Sequence, residues 1–159
     1  MSNESRIAGV LFKAVRLIQD ERGWTAYPGQ AADPEFPSFA QLNISYTHPG
    51  VVRAWHCHPD PELAQSDAVF AIKGRGRIGL FDDRPESPTR GAVDSVVVGD
   101  ETNPRLCVVI PPGVWHGIQA LTELYVAYVV SAPYAPDRNE LRRPPDDPAI
   151  PFSWEIRGW

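Results

Sequence analysis

Short runs rich in β-branched and apolar residues recur along the chain at near-regular intervals, each bounded by Gly, Pro or Asp. They are Val51–His58, Ala68–Ile72, Arg77–Phe81, Val93–Val98, Leu106–Ile110 and Leu124–Val130. The turn Lys73–Gly76 separates two of them, and the loop Asp82–Gly91 separates the next two. No long helical periodicity lies between them. Runs of this length and spacing predict an all-β sandwich or barrel. The first 40 residues read as an entry segment in which Gly9–Ile18 is apolar enough for a strand or a short helix; periodicity does not choose. Pro34 and Pro37 mark Asp33–Ser38 as a loop, and the Pro- and Arg-rich tail 134–159 is expected to wrap irregularly over the barrel, anchored by Phe152 and Trp154.

Composition narrows the picture. A chain of 159 residues fits a single domain able to bury its own core. The 17 prolines favour short strands and punctuated loops over helices. The net charge of −5, with no basic patch, argues against nucleic acid as a partner. No apolar stretch approaches the length of a membrane span, and the start MSNESRIAGV lacks the features of a signal peptide, so cytoplasmic residence is the expectation. Cys57 and Cys107 sit in apolar runs and read as buried free thiols.

The candidate chemistry gathers in three places. In Val52–His58, alternate residues of a strand share a face, which groups Ala54, His56 and His58. Asp67 opens the next run, sharing a face with Val69 and Ala71, and the Pro111–Gly117 turn fixes His116 at a barrel rim. Tyr128 shares a face with Leu124, Val126 and Val130, and its alternative reading is a core tyrosine with a satisfied hydroxyl. The expected mouth of the barrel is therefore ringed by His56, His58, Asp67, His116 and Tyr128. Trp55 and Trp115 read as outward packing, Arg142 and Arg143 as a solvated pair, and Asp147 before Pro148 is also suited to capping a turn.

The spacing of Gly50, His56, His58, Asp67 and Gly74, followed by Pro111, Gly113 and His116, resembles the two motifs of the cupins, with a longer gap before Asp67. That resemblance implies a cupin-type double-stranded β-helix, a jelly-roll barrel. In metal-binding cupins the matching residues hold one ion, and here they would be His56, His58, Asp67 and His116. Three imidazoles and a carboxylate suit a divalent transition metal.

A second resemblance is more specific. In order along the chain come Asp20–Gly23; Gln41, Asn43 and Ser45; Gly50 to Arg53 with His56; Gln65; Asp82, Arg84 and Ser87–Thr89; Ile110–Gly117; Tyr128 with Tyr134; and Asp146–Pro148 before Trp154. Together they resemble the dTDP-4-dehydrorhamnose 3,5-epimerase family. The resemblance implies an isomerase working without a cofactor on a nucleotide-linked 4-keto-6-deoxy sugar. It makes His56 the base, Asp147 its orienting partner and Tyr128 the acid on the opposite face. Arg22, Arg53 and Arg84 match diphosphate-binding arginines, and Asn43, Gln65, His116 and Tyr134 match other substrate-binding positions. It also implies a homodimer that exchanges N-terminal strands.

The chain departs from that pattern at three points. Asp67 stands where the family carries a lysine that stabilises the enolate, and His58 is not the family's usual residue. Thr25 and Tyr27 do not match the family's aromatic and acidic substrate contacts. The first two changes rebuild the metal quartet. Three functions therefore stand side by side: a C3 and/or C5 epimerase, a metal-dependent cupin enzyme, and a non-catalytic sugar-binding cupin.

Overall fold

Alternation along each strand sorts its side chains between an interior and an outer face. In the run VWHGIQA, Val114 and Ala120 enter the buried core while Trp115 turns outward into a separate aromatic cluster. The computed structural model describes residues 4–156. The outermost residues of the entry segment and the tail, 1–3 and 157–159, lie outside the described residues.

The elements are β1 (Leu11–Ala14), β2 (Arg16–Asp20), β3 (Gly23–Tyr27), β4 (Gln41–Thr47), β5 (Val52–Cys57), β6 (Asp67–Lys73), β7 (Arg75–Asp82) and β8 (Val93–Gly99). They continue as β9 (Leu106–Ile110), β10 (Val114–Ala120), β11 (Leu124–Val130), the single-turn helix α1 (Pro136–Asn139) and β12 (Leu141–Arg142). Two five-stranded antiparallel sheets run β1-β9-β6-β11-β4 and β12-β5-β10-β7-β8. They close face to face as the expected cupin jelly roll. The segment Gly9–Ile18 resolves into two strands: β1 joins the first sheet through β9, and β2 pairs, among the described residues, with β3 alone as a hairpin.

The core between the sheets is built from Ile7, Ile78, Leu80, Val108, Ile110, Val114, Leu124 and Val126, among others. The outer face of the second sheet is sealed by Trp55, Cys57, Phe81, Trp115 and Ile150, with Phe152 and Trp154 of the tail packed on them. The Phe152 and Trp154 rings lie 5.3 and 5.0 Å from that of Trp55. Gly79 permits this seat, because a Cβ there would come within 2.7 Å of Trp154 and 2.9 Å of Phe152. The tail anchors and the outward tryptophans are thus where the sequence places them.

The outer face of the first sheet is only half covered. Val15, Phe36 and Ala26 pack over Phe70, Cys107 and Val109. On the β11–β4 side, Leu42, Ile44 and Tyr125 remain 52%, 67% and 39% exposed.

One irregularity positions the site. In the β5–β10 ladder His56 pairs with His116, and the next pair is Arg53 with Ile118. Ala54 and Trp55 therefore stand opposite Gly117 alone, which makes a β-bulge. The strict alternation read from the sequence is broken there. Ala54 joins the outward aromatic cluster, and Arg53 takes its place on the cavity side with His56. The close approach demands glycine at 117, where a Cβ would sit 2.4 Å from Ala54 Cβ and 2.9 Å from the Arg53 carbonyl oxygen.

Candidate active site

A cavity of about 460 Å³ opens between the sheets and reaches Ile78, Ile110 and Val126 of the packed core. That volume lies within the range of small-molecule sites. His56, His58, Asp67, His116 and Tyr128 all line it, as do Asn43, Arg53, Gln65 and Tyr134. Gln41, Asn139, Glu140 and Arg142 complete its polar wall.

His56 and Tyr128 come from opposite sheets, β5 and β11, and face the same space. His56 Nδ1 lies 2.8 Å from Glu140 Oε1. A carboxylate accepts, so this contact places the ring proton on Nδ1 and leaves Nε2 as the basic atom. Burial lowers the His56 pKa below the usual histidine value, against the opposing pull of Glu140, so the ring is neutral at neutral pH. Burial pushes Glu140 upward, but hydrogen bonds from Arg142 and His56 outweigh it and keep the carboxyl below its ordinary value. Burial and the charge of Asp67 raise the Tyr128 phenol, which stays protonated and able to donate.

The tail delivers Glu140. Helix α1 ends at Asn139, and β12 then pairs with β5 in the register Leu141–Cys57 and Arg142–His56. Main-chain bonds between Trp55 and Arg143, 2.7 and 3.1 Å long, continue the pairing. This short strand sets the carboxylate beside the imidazole.

Asp147, expected as the partner of His56, is elsewhere. Its Oδ1 accepts from the Ala149 N–H at 2.8 Å, and its Oδ2 lies 3.9 Å from Arg143 Nε. It caps a turn and does not line the cavity. Two of the three expected diphosphate arginines are also elsewhere. Arg22 lies on the β2–β3 hairpin, exposed and paired with Asp20. Arg84 bonds to Asp82 through Nε at 2.9 Å and to the Ala8 carbonyl at 2.7 Å, so it braces the Asp82–Gly91 loop. Arg53 alone of the three lines the cavity, and Arg142 joins it there. Arg142 is exposed, as expected, and Arg143 is half-buried, but both have partners. Arg142 holds Glu140 Oε2 at 2.9 Å, and Arg143 stacks over Trp115 at 4.4 Å.

Behind the dyad lies a second cluster. The ligating atoms of His58, Asp67 and His116 all fall within 4.8 Å of one another. His56, the fourth member of the expected quartet, is outside this group and turned to Glu140. Asp67 is 4% exposed, and its Oδ1 accepts from Gln65 Nε2 at 2.9 Å. Gln65 Oε1 in turn accepts from Asn139 Nδ2 at 3.3 Å, which ties the floor of the cavity to α1.

Glu140 and Asn139 do not stand out in the sequence. Glu140 sits in a Pro- and Arg-rich tail with no strand pattern, and its only local signal is its place just before the short β12.

A jelly-roll barrel with a histidine–carboxylate pair on one sheet and a phenol on the other defines a cupin-fold enzyme of the acid–base kind. The family model for dTDP-4-dehydrorhamnose 3,5-epimerase matches residues 4–158, and the chain belongs to that family. It is similar to the spore coat polysaccharide biosynthesis protein SpsL of Bacillus subtilis, 35% identical over 93% of this chain and 96% of that one. It is also similar to the probable low-salt glycan biosynthesis epimerase Agl13 of Haloferax volcanii, 38% identical over 96% and 98%. Among solved structures, the dTDP sugar isomerase of Desulfovibrio desulfuricans superposes with a TM-score of 0.84 at 29% identity, covering 94% of this chain and 92% of that one. The 3′-monoepimerase ChmJ of Streptomyces bikiniensis, in complex with dTDP-quinovose, gives 0.84 at 26% identity over 97% and 78%.

Proposed function

We propose that this chain epimerises a nucleotide-linked 4-keto-6-deoxy sugar at C3, C5 or both, with His56 as base and Tyr128 as acid. The observation that carries the reading is the 2.8 Å His56–Glu140 contact on one sheet, facing Tyr128 on the other across one cavity. A carbon next to a ketone is acidic because its electron pair is taken up by the carbonyl as an enolate. Inversion then requires a base on one face of the ring and an acid on the other.

His56 Nε2 takes the proton, the C–H electron pair forms the carbon–carbon double bond of the enolate, and the carbonyl pair moves to oxygen. Tyr128 O–H returns a proton to carbon from the opposite face as the double bond closes back to the ketone. Tyr128 recovers its proton from solvent, and His56 releases one to it. Glu140 takes the orienting role expected of Asp147. Arg53 and Arg142 supply positive charge for a diphosphate, and Asn43, Gln41 and Tyr134 form a polar rim around it.

The reading includes a homodimer and cytoplasmic residence. The uncovered apolar half of the first sheet and the projecting β2–β3 hairpin, with Ile18, Trp24 and Tyr27 exposed, support the dimer. Two buried unpaired cysteines, Cys57 and Cys107, support a reducing compartment. No helix among the described residues is long and apolar enough to cross a membrane.

The test is proton exchange. In D₂O, a panel of dTDP-, GDP- and CDP-linked 4-keto-6-deoxy sugars is followed by NMR. Deuterium appearing at C3 or C5 of one of them is the expected result; no exchange in any of them overturns the reading.

A further inference from the structure

The base–acid pair leaves His58, Asp67 and His116 without a stated task, and their hydrogen bonds say what they lack. His58 Nδ1 lies 2.7 Å from the Asn139 carbonyl oxygen, and His116 Nδ1 lies 3.0 Å from that of Val114. A carbonyl only accepts, so both Nδ1 atoms carry the ring proton. In neutral imidazoles both Nε2 atoms then hold bare lone pairs. These lone pairs meet Asp67 Oδ2, at 3.8 Å from His58 and 3.4 Å from His116. Gln65 occupies Oδ1 and leaves Oδ2 to the histidines. In that neutral state three acceptor atoms converge with no donor among them. Burial lowers the His116 pKa, but the Asp67 carboxylate outweighs it and pulls the pKa up, and so draws a positive charge to the place, either a proton or a metal cation. Such an arrangement is unfavourable until a positive charge enters it.

The geometry fits an ion. Two ligands bound at about 2.0–2.1 Å to a tetrahedral centre stand about 3.4 Å apart. The two separations from Asp67 lie within a few tenths of an ångström of that value, and all three ligand atoms fall within 4.8 Å of one another. A main-chain carbonyl behind each imidazole is also the arrangement that holds a metal-bound histidine in one tautomer and orientation. The three residues come from separate anchored places: just after β5, tied to α1, the start of β6, and β10. They line the same cavity as His56 and Tyr128.

We propose that His58 Nε2, His116 Nε2 and Asp67 Oδ2 bind one divalent transition-metal ion, such as zinc or cobalt, whose remaining positions open into the cavity. Two imidazoles and a carboxylate suit that class of ion. Its catalytic part rests on the epimerase reading: a Lewis acid here polarises the sugar's keto oxygen and holds the enolate charge beside His56.

Chelator-treated whole protein is titrated with Co²⁺, following visible absorption and counting bound metal by elemental analysis. One ion per chain is expected. Asp67→Asn and His58→Ala should bind at least about tenfold more weakly, and His56→Asn should bind as the parent does. Binding far below one ion per chain in the parent overturns the site, as does parent-like binding by both ligand variants. If the variants do not fold, ¹⁵N spectra of the parent with Zn²⁺ decide. Shifts confined to Nε2 of His58 and His116, with both Nδ1 protons retained, support the site. A His116 ring doubly protonated and undisturbed by zinc overturns it, because a proton then supplies the charge. The deuterium assay on stripped and reloaded protein separates the two readings. Exchange that rises with loading supports the Lewis-acid role, and full exchange in stripped protein overturns that role alone. No exchange in either form overturns the epimerase reading, and the metal-binding result stands by itself.

Discussion

Glu140 Oε1 lies 2.8 Å from His56 Nδ1, although the two residues are 84 positions apart in the chain. The contact is made by two residues of β12 pairing with β5. It fixes which nitrogen of His56 is free to accept a proton.

The dyad moves the orienting role from Asp147, where the sequence resemblance places it, to Glu140. Glu140→Gln removes the carboxylate charge and lets an amide N–H face Nδ1, which permits the wrong tautomer, and proton exchange into substrate should fall by about 10²-fold or more. Asp147→Ala should leave the rate within about twofold. Its measurable effect is the loss of a turn cap, with a cost of about 1 kcal/mol by analogy with helix caps. Single-turnover exchange and urea unfolding on both variants check the assignment. Equal rates for the two variants would restore Asp147 as a candidate.

Tyr128 and His56 act on opposite faces of the ring, so their variants should fail differently. Tyr128→Phe keeps the base, which can remove a proton and return a deuteron to the same face. Inverted product should then drop by about 10²-fold while deuterium wash-in is less affected. His56→Asn should abolish both together. NMR that follows isotope content and stereochemistry in one sample distinguishes the two outcomes.

Asp82 governs acid stability. Its side chain is 0% exposed and accepts from Arg84, Ser87 and Thr89. Burial pushes its pKa up, but those hydrogen bonds outweigh burial and hold it well below the carboxylate range. A carboxyl whose pKa is lower folded than unfolded stabilises the fold fully above its unfolded value of about 3.9, and loses that contribution as the pH falls through the folded value. Parent protein should therefore lose more stability than Asp82→Asn as the pH falls from about 5 to about 2 in urea titrations. Asp82→Ala at neutral pH should cost about 3 kcal/mol, because it strands the Arg84 charge.

The exposed half of the first sheet tests the dimer. Ile44 is 67% exposed on the edge strand β4, beside Leu42. Ile44→Asp should shift the protein from dimer to monomer in size-exclusion chromatography with light scattering. Parent protein that runs as a monomer at micromolar concentration would remove the dimer from the reading.

Strands with regular alternation and clear Gly or Pro borders are legible in the sequence, and Leu106–Ile110 and Leu124–Val130 match to the residue. The cavity lining is also largely legible, because His56, Asp67, His116 and Tyr128 all sit within or at the start of such strands. The misreadings share one cause, which is that tertiary path overrides local pattern. Asp147 and Arg84 lie in short ordered motifs, yet the loops that carry them turn those side chains to local partners. Glu140 reaches His56 only because a proline-rich tail adds a two-residue strand to a sheet edge, and no period announces that. The β5 bulge is invisible because alternation is a rule about uniform strands.

That bulge amounts to a phase slip of one residue within β5. Upstream of it the strand is read in one register and downstream in the other, so a cation at position 53 and a base at position 56 share a wall despite their odd spacing. The bulge itself is therefore a fixed dimension of the site. Were Ala54 and Trp55 paired one to one across the ladder, alternation would be even and Arg53 would face the outer surface, leaving the base in place without its neighbouring charge. Lineages built on this barrel should therefore keep the bulge and the glycine at position 117 together, since the doubled residues leave no room for a side chain opposite them.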